Sequence, residues 1–466
     1  MPENENMPDS TTPDATTDAT ADTAAQTPEK AQTTQPNDKG PKDGEPEQPE
    51  QKVDTTDKSA KTAKSAKTDK PKAEKAEKTE NEKPEKAENT DKAETPQKTE
   101  KVEKADKPRA SRSTHPEPVH STSDRSETLR RVDGREMRLA VGNSPFPVEQ
   151  TEAWERFEEA MGRPLWGRYL YEDEGKPVAA IALYRYEMGG QTFLWAKHGP
   201  VWLKEQSPER EAHLRRLLRS VVKERDRSVR FIRMHARYRD TDLRELLSTI
   251  TYDRTYVIDL VPKTPEKMAA VMPKDGRRAV KRAERVAREA GCTISDETGL
   301  SREEFDKVYE VLRETAERDG FKPHDAEVYW TMLTALGEKN ARLFVLRKDG
   351  VPHAWDLILT SGKDAVAYYG ASSNESRTFR GAEALDWWAA CTLAQEGYRG
   401  LDLMGAGSTR VPSLYTVGQY KKRYAQHVTE VDGAWDVPVS RVIYSGMATA
   451  KRLRDALRAR RGSRED

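Results

Sequence analysis

One short unit occurs twice in this chain. Glu174-Gly175-Lys176-Pro177-Val178-Ala179 leads into the apolar run Ala180 to Leu183, and Asp349-Gly350-Val351-Pro352-His353-Ala354 leads into Trp355 to Leu359. Each copy follows a helix-like stretch, Glu149 to Met161 and Ala326 to Leu336, and then an apolar run, Trp166 to Tyr171 and Leu343 to Leu346. Helix, strand, turn and strand therefore come in the same order both times, which predicts one α/β lobe built twice with a cleft between the copies. Acidic-Gly-x-Pro is by itself a common hairpin turn, because Gly supplies a positive φ and Pro fixes its own. The matching order of the flanking elements is what favours duplication.

The duplicated part does not begin at the start of the chain. No Phe, Tyr or Trp precedes Phe146, and no Leu or Ile precedes Leu129. Residues 1–128 are dominated by Glu, Asp, Lys, Thr, Ala and Pro, with a Lys/Glu-alternating run from Lys58 to Lys107, too little apolar surface to offset ordering entropy. They read as a disordered tail. The remainder is long enough for two lobes of about 150 residues each: 129–262, completed by 429–445, and 263–428, with a basic helix or tail over 446–466.

The overall formal charge of +0 conceals opposite local balances. No stretch approaches the roughly 18 apolar residues of a membrane span, and a basic-then-apolar leader is missing, so a cytoplasmic protein is expected. Cys292 and Cys391 are the only cysteines. With no Cys-x-x-Cys and no His pair at ligand spacing, neither a disulfide framework nor a metal site is indicated, and His198, His213, His235, His324, His353 and His427 read singly as structural residues.

Ser207 to Arg225 is the strongest predicted helix: Ser207 can N-cap, Pro208 suits the first turn, and Leu214, Leu217, Leu218, Val221 and Val222 recur at helical spacing. Strands are expected at Val229 to Met234 and at Tyr256 to Leu260, the latter closing the first lobe. The second lobe reads as helices at Pro273 to Ala290, Arg302 to Asp319 and Ala326 to Leu336, strands at Ala341 to Arg347, His353 to Thr360 and Ala365 to Tyr369, a helix at Ala382 to Glu396 and a strand at Gly400 to Met404. The fold class is mixed α+β.

Two segments are strongly basic. Lys274, Arg278, Lys281, Arg285 and Arg288 fall on one face of the Pro273 helix, with Arg277 and Arg282 beside them, a row that suits a phosphate backbone or is simply a solvated face. Near the C-terminus, Lys451, Arg452, Arg454, Arg458, Arg460, Arg461 and Arg464 accompany Met447, Leu453 and Leu457. That segment suits RNA, an anionic membrane surface, or a frayed soluble tail.

Further along, Thr315-Ala-Glu-Arg318-Asp319-Gly320-Phe321, Tyr368-Tyr369-Gly370-Ala371-Ser372, Asp402-Leu-Met-Gly405, Tyr420-Lys421-Lys422-Arg423-Tyr424 and Val431-Asp-Gly433-Ala-Trp435-Asp436 appear in that order. Together these resemble the Fem family of peptidoglycan-bridge aminoacyltransferases (FemXAB), from about Gln150 to Asp436. The resemblance implies two tandem lobes of the GCN5-related acetyltransferase (GNAT) type, working without acetyl-CoA or any other cofactor. It also implies transfer of an amino acid from the co-substrate aminoacyl-tRNA to the stem-peptide amino group of a peptidoglycan precursor, lipid II or the UDP-linked pentapeptide. An armless monomer touching the inner membrane face is the expected form.

The same resemblance assigns roles. Lys421 matches the lysine of a Phe-Lys-x-x-Phe-type element, implying contact with phosphate or developing negative charge, and Tyr420 and Tyr424 stand where Phe is usual. Tyr420 is thereby grouped with the catalytic lysine, while Thr315, Arg318, Tyr369 and Tyr424 are expected on the peptidyl or diphosphate substrate. Arg277, Arg278, Lys281, Arg282 and Arg285 are expected on tRNA. Lys197-His198-Gly199-Pro200 departs from the family's Arg-Gly-Pro, and the lysine expected one turn after Trp154 is absent, with Glu158 nearby. An acyl-CoA N-acyltransferase is the competing enzyme, but Arg377-Thr-Phe-Arg380-Gly381-Ala382 places Gly381 one residue late for a pyrophosphate loop. A non-catalytic RNA-binding or cell-wall scaffold protein would explain the basic helices alone.

Overall fold

The computed structural model describes residues 119–120, 126–247 and 251–462. Most of the acidic and basic tail lies outside the described residues. The first lobe runs β1 (Val119–His120), β2 (Glu127–Val132), α1 (Gly134–Val141), α2 (Glu152–Ala160), β3 (Leu165–Asp173), β4 (Lys176–Met188), β5 (Gln191–Trp195), β6 (Val201–Trp202), α3 (Pro208–Arg225) and β7 (Val229–Ala236). Ser207 caps α3 by accepting from the Arg210 N–H, and Pro208 occupies its first turn. The chain then gives β8 (Arg254–Asp259), α4 (Pro265–Val271), α5 (Lys274–Glu289), β9 (Cys292–Asp296), α6 (Arg302–Asp319), α7 (Ala326–Leu336), β10 (Ala341–Lys348), β11 (Val351–Ser361), β12 (Asp364–Ser372), α8 (Gly381–Glu396), β13 (Gly400–Gly405), α9 (Tyr415–Lys421) and β14 (Thr429–Glu430). β15 (Gly433–Pro438) and α10 (Arg441–Gly462) end the description.

The repeat is structural. Glu174 and Gly175 have φ of 50° and 72°, Asp349 and Gly350 have 52° and 80°, so both hairpins β3–β4 and β10–β11 close through two left-handed residues. Even the irregularity is copied. Tyr171 pairs Ala179 while Glu172 pairs Pro177, leaving Val178 as a bulge; Leu346 pairs Ala354 while Arg347 pairs Pro352, leaving His353. Sheet order also corresponds, with β2-β3-β4-β5-β7-β15 in one lobe and β9-β10-β11-β12-β13-β8 in the other.

This order departs from the sequence expectation at one strand. Tyr256 to Leu260 does not close the first lobe, because β8 pairs antiparallel with β13 and buries Ile258 and Leu260 in the second lobe's core. Conversely, β15 returns from beyond the second lobe to pair antiparallel with β7. Each lobe thus gives its last strand to the other. A second departure is at the tail boundary: β2 begins at Glu127 and pairs with β3, since Leu129 and Val132 have apolar neighbours to bury against.

Three apolar clusters order the layers. α3 covers the outer face of the first sheet, α5 and α8 cover the outer face of the second, and the helices α1, α2, α6 and α7 fill the space between the sheets. α2 and α7, the equivalent helices of the two copies, pack on each other across the seam. Trp154 of α2 lies against Tyr368 of β12 with ring centroids 5.9 Å apart, and the Arg156 guanidinium donates to the Ala335 carbonyl at 3.2 Å. The lobes share one core. Among the described residues no helix is long and apolar enough to cross a membrane.

The returning strand β15 is fixed by a buried ion pair. Arg233 Nε donates to Asp436 Oδ1 at 2.7 Å and Nη2 to Oδ2 at 3.2 Å, with both side chains at 0% exposure. Removing one partner of such a pair leaves the other charge stranded, so Asp436→Ala is expected to cost about 3–5 kcal/mol. Replacing both, as Arg233→Met with Asp436→Leu, is expected to recover most of that loss; urea unfolding midpoints of the three proteins measure it.

Candidate active site

In the second sheet, β12 and β13 run parallel but pair only from Asp364–Val366 to Gly400–Asp402, and beyond these residues the two strands part. The parting leaves a gap at their C-terminal ends, into which α9 directs Lys421. Its ammonium donates to the Gly405 carbonyl at 2.9 Å and the Met404 carbonyl at 3.3 Å, and the residue is only 4% exposed. Lys421 is therefore an interior positive charge, unlike its exposed neighbour Lys422.

The strap it holds is shaped by glycine and by a buried acid. Met404 has φ 61°, and a Cβ on Gly405 would lie 2.8 Å from Leu414 and 3.2 Å from Tyr252. Asp402 accepts from the Met404 N–H at 2.6 Å and from the Thr255 hydroxyl, whose oxygen also lies 2.9 Å from the Met404 carbonyl. Burial pushes the Asp402 carboxyl above the usual carboxylate range, against the opposing pull of those hydrogen bonds and of Lys421.

The first lobe supplies the other wall. Gln150 is fully buried, accepts from the Ala182 N–H at 2.7 Å and donates to the Lys197 carbonyl at 2.7 Å, stitching the start of α2 to the segment after β5. Gly199 is obligatory there, because a Cβ would meet the Gln150 amide at 2.7 Å. The neighbouring Lys197 ammonium sits over the rings of Trp195 at 4.7 Å, Trp154 at 5.3 Å and Tyr186 at 5.6 Å. His198 stacks on His235 with ring centroids 4.8 Å apart, and its Nε2 lies 3.7 Å from Glu149 Oε1.

Electrostatics tie the two walls together. Burial lowers the His198 imidazole to about 4, with the Lys197 charge adding to it. Burial likewise lowers His235 to about 4, assisted by His198 and opposed by Asp432 and Glu149. His235 Nδ1 lies 2.7 Å from the Asp432 carbonyl, which only accepts, so Nδ1 carries the proton and Nε2 offers a lone pair. Glu149 is pushed up by burial, offset by Lys197, His235 and a hydrogen bond from Tyr368 of the second lobe. Although desolvated in this way, the His198 side chain keeps 32% of its surface open, and Tyr252, with ring centroids 6.2 Å away, links it to Gly405 of the strap; these residues and Lys421 form what we call the recess.

The residues expected from sequence divide between this recess and the scaffold. Lys421 belongs to it. Tyr420 and Tyr424 turn to α8, where both hydroxyls bond Asp386, and their burial in the second lobe's core makes them packing residues. Thr315 and Arg318 converge on Ser372: the Thr315 hydroxyl donates to its carbonyl at 3.0 Å, and Arg318 Nη1 donates to the same oxygen at 2.7 Å. Arg318 is also paired with Asp319 at 2.8 Å, so both residues brace the end of β12. Tyr369 is buried edge-on against Tyr329 at 4.8 Å, in the shared core. Glu158 is a core acid that accepts from the Tyr186 hydroxyl at 2.5 Å and pairs with Arg163. Arg278, Lys281, Arg282 and Arg285 of α5 are exposed, Arg277 is half-buried, and Arg285 is paired with Glu289 at 3.0 Å. At the start of α5, a Cβ on Gly276 would fall 1.7 Å from the Arg423 carbonyl, so the basic helix abuts the turn that follows Lys421.

Glu149, His198, His235, Tyr252 and Asp402 were not expected as a group. They come from separate segments, and no spacing links them. A cleft of about 730 Å³ lies at the opposite end of β12 and β13, beside Asp364 and Arg399. Its charges are largely paired within the protein, as in Arg168–Glu155 at 2.9 Å and Arg399–Asp364 at 3.1 Å, which leaves the recess as the stronger candidate. Among the described residues no three His, Cys, Asp or Glu side chains converge as a metal site. Burial pushes the Cys391 thiol up to about 12, so it is unreactive.

The parted parallel strands, the sheet order and the helices between them define a tandem acyltransferase-type fold. The family of acetyltransferase (GNAT) domains matches residues 274–422, the second lobe. The crystal structure of FemX shares this fold over 98% of its length and 68% of this chain, at 15% identity and a TM-score of 0.54. Weaker likeness extends to the C-terminal domain of a putative lysylphosphatidylglycerol synthetase from Agrobacterium fabrum, with 14% identity, 68% and 97% coverage of the two chains and a TM-score of 0.42. L-PGS from Bacillus licheniformis gives 14% identity, 69% and 97% coverage and a TM-score of 0.42. No curated protein matches the chain by sequence.

The imidazole pair carries a pH signature. Both folded-state values, about 4, lie below the unfolded 6.5, so the unfolded chain binds more protons between those limits. Their contribution is complete above pH 6.5 and is lost as pH falls towards 4. The double variant His198→Asn, His235→Gln should flatten the slope of unfolding free energy against pH in that window, measured by urea titration beside the parent protein.

Proposed function

We propose that this protein transfers an amino acid from aminoacyl-tRNA to the stem-peptide amino group of a peptidoglycan precursor, in the cytoplasm and without a cofactor. The observation that carries the reading is Lys421, held in the gap between the parted strands β12 and β13, with α5 packed through Gly276 on the turn that follows it and presenting its row of cations on the opposite, exposed face. The FemX fold agrees with this reading.

The chemistry is aminolysis of an ester. The amine nitrogen bonds to the ester carbonyl carbon, an oxyanion forms, and the carbon–oxygen bond to the ribose breaks. Lys421, held in a low-dielectric gap, supplies positive field for the oxyanion and fixes the Met404–Gly405 strap. A neutral imidazole in the recess can take the proton that the nitrogen sheds on bond formation. A weakly basic imidazole readily returns that proton to the departing ribose oxygen.

The acyl-CoA alternative meets a specific obstacle. The turn before α8 is filled by the protein itself: Arg380 is left-handed with φ 56°, and a Cβ on Gly381 would meet Ser376 Oγ at 2.7 Å and the Phe379 ring at 3.0 Å. The glycine there accommodates internal packing. Transfer of radiolabelled amino acids from charged total tRNA to lipid II and to the UDP-linked pentapeptide tests the proposal, with RNase and acetyl-CoA arms. RNase-sensitive labelling supports it; acetyl-CoA consumption without labelling overturns it.

Two variants separate chemistry from tRNA binding. Lys421→Met is expected to lower kcat by about a hundredfold, the scale of losing one group that stabilises an oxyanion. Charge reversal at Arg278, Lys281 and Arg285 is expected to raise the KM for charged tRNA by about tenfold or more, with a shallower salt dependence and kcat retained.

A further inference from the structure

Helix α10 belongs to the folded body only through its first turns. Tyr444 anchors it, edge-on to Phe231 at 5.4 Å, with its hydroxyl oxygen 2.9 Å from both the Glu245 carbonyl and Asp436, two acceptors for its one proton. Met447 and Ala448 pack against the same core. On the opposite side, Val442, Leu453 and Leu457 are 84%, 62% and 60% exposed. At roughly 100° per residue these three fall within an arc of about 60°, with Gly446 and Thr449 close to the same line. The result is an unpartnered apolar stripe.

Charge borders it on both edges. Arg441 and Arg452 lie along one side and Arg454 along the other, all exposed. Asp455 lies on the anchored side, where it pairs with Lys451 at 2.8 Å. Arg458, Arg460 and Arg461 follow in the sequence. We propose that α10 docks in the plane of an anionic lipid surface, the leucine stripe entering the headgroup boundary and the flanking arginines meeting lipid phosphates. RNA would have no use for the leucines, and a second copy of the helix would bring like charges together. The inference is independent of the transfer reaction, although such docking would hold the recess near a lipid-linked acceptor.

The test is co-sedimentation of the full chain with phosphatidylcholine vesicles, with and without phosphatidylglycerol. Binding only to the phosphatidylglycerol vesicles, weakened by salt, is expected. It should fall about tenfold or more in Leu453→Asp, Leu457→Asp, and by about fivefold for each of Arg452→Gln and Arg454→Gln, while circular dichroism and melting stay unchanged because all four side chains are exposed. Three results would overturn the proposal: no vesicle binding by the parent protein, equal binding by the leucine variant, or a concentration-dependent dimer abolished by that variant. Displacement of the vesicles by RNA with retained binding of the leucine variant to RNA would assign the helix to nucleic acid instead.

Discussion

Arg233 and Asp436 form the contact on which the first lobe depends. The chain between them is most of the second lobe, so the pair closes a very long loop, and it does so with no exposed surface on either side chain. The guanidinium is further enclosed by the rings of Trp195, Phe193 and Phe231, at 5.0, 5.1 and 5.5 Å. Asp436 also receives the Tyr444 hydroxyl and the Leu247 N–H, so β7, β15, the segment after β7 and α10 all converge on one carboxylate. Hydrophobic burial could have fixed β15 more strongly. A bidentate pair fixes its register as well, because sliding the strand by one residue would strand both charges in the core.

The second sheet repeats this device with weaker chemistry. Its borrowed strand β8 is held to β13 by the Thr255 hydroxyl on Asp402, a neutral donor in place of a guanidinium. Asp402 consequently remains coupled to Lys421 in its own lobe and to Glu149 across the seam. An acid that is not neutralised within its own lobe can take part in the electrostatics of the recess. In the first lobe the acid of the pair, Asp436 on the returning strand β15, is fully committed to structure.

How much of this was legible beforehand follows from where each signal lies. The duplicated turn announced itself because Glu174-Gly175 and Asp349-Gly350 must both adopt left-handed backbone, a local requirement written in adjacent residues. α3 was equally readable from its cap and apolar spacing. The return of β15 was anticipated in 429–445, but the transfer of β8 was not, because Tyr256 to Leu260 has the same apolar pattern whichever sheet it joins, and only the open edge of β13 decides. Tyr420 and Tyr424 illustrate the same limit: their spacing around Lys421 marked an element, but which way each ring turns depends on Asp386, on a distant helix. The recess was the least legible feature, since His198 and His235 look like isolated core histidines until Gln150 and Asp432 bring them together.

Duplication explains why one sheet can open while the other stays closed. In the first sheet β5 and β7 remain paired up to Trp195 and Arg233, near the end of β5, and the space is filled by the caged guanidinium. In the second, β12 and β13 separate after Val366 and Asp402, and the opening admits Lys421. Opening a sheet exposes backbone groups that must be satisfied, and the Lys421 ammonium does this for two carbonyls of the strap. A lone lobe would have to tolerate that opening with one face unsupported. Here α2 and α7 bury it against an intact copy, so the strained half inherits the stability of the unstrained one through their common core.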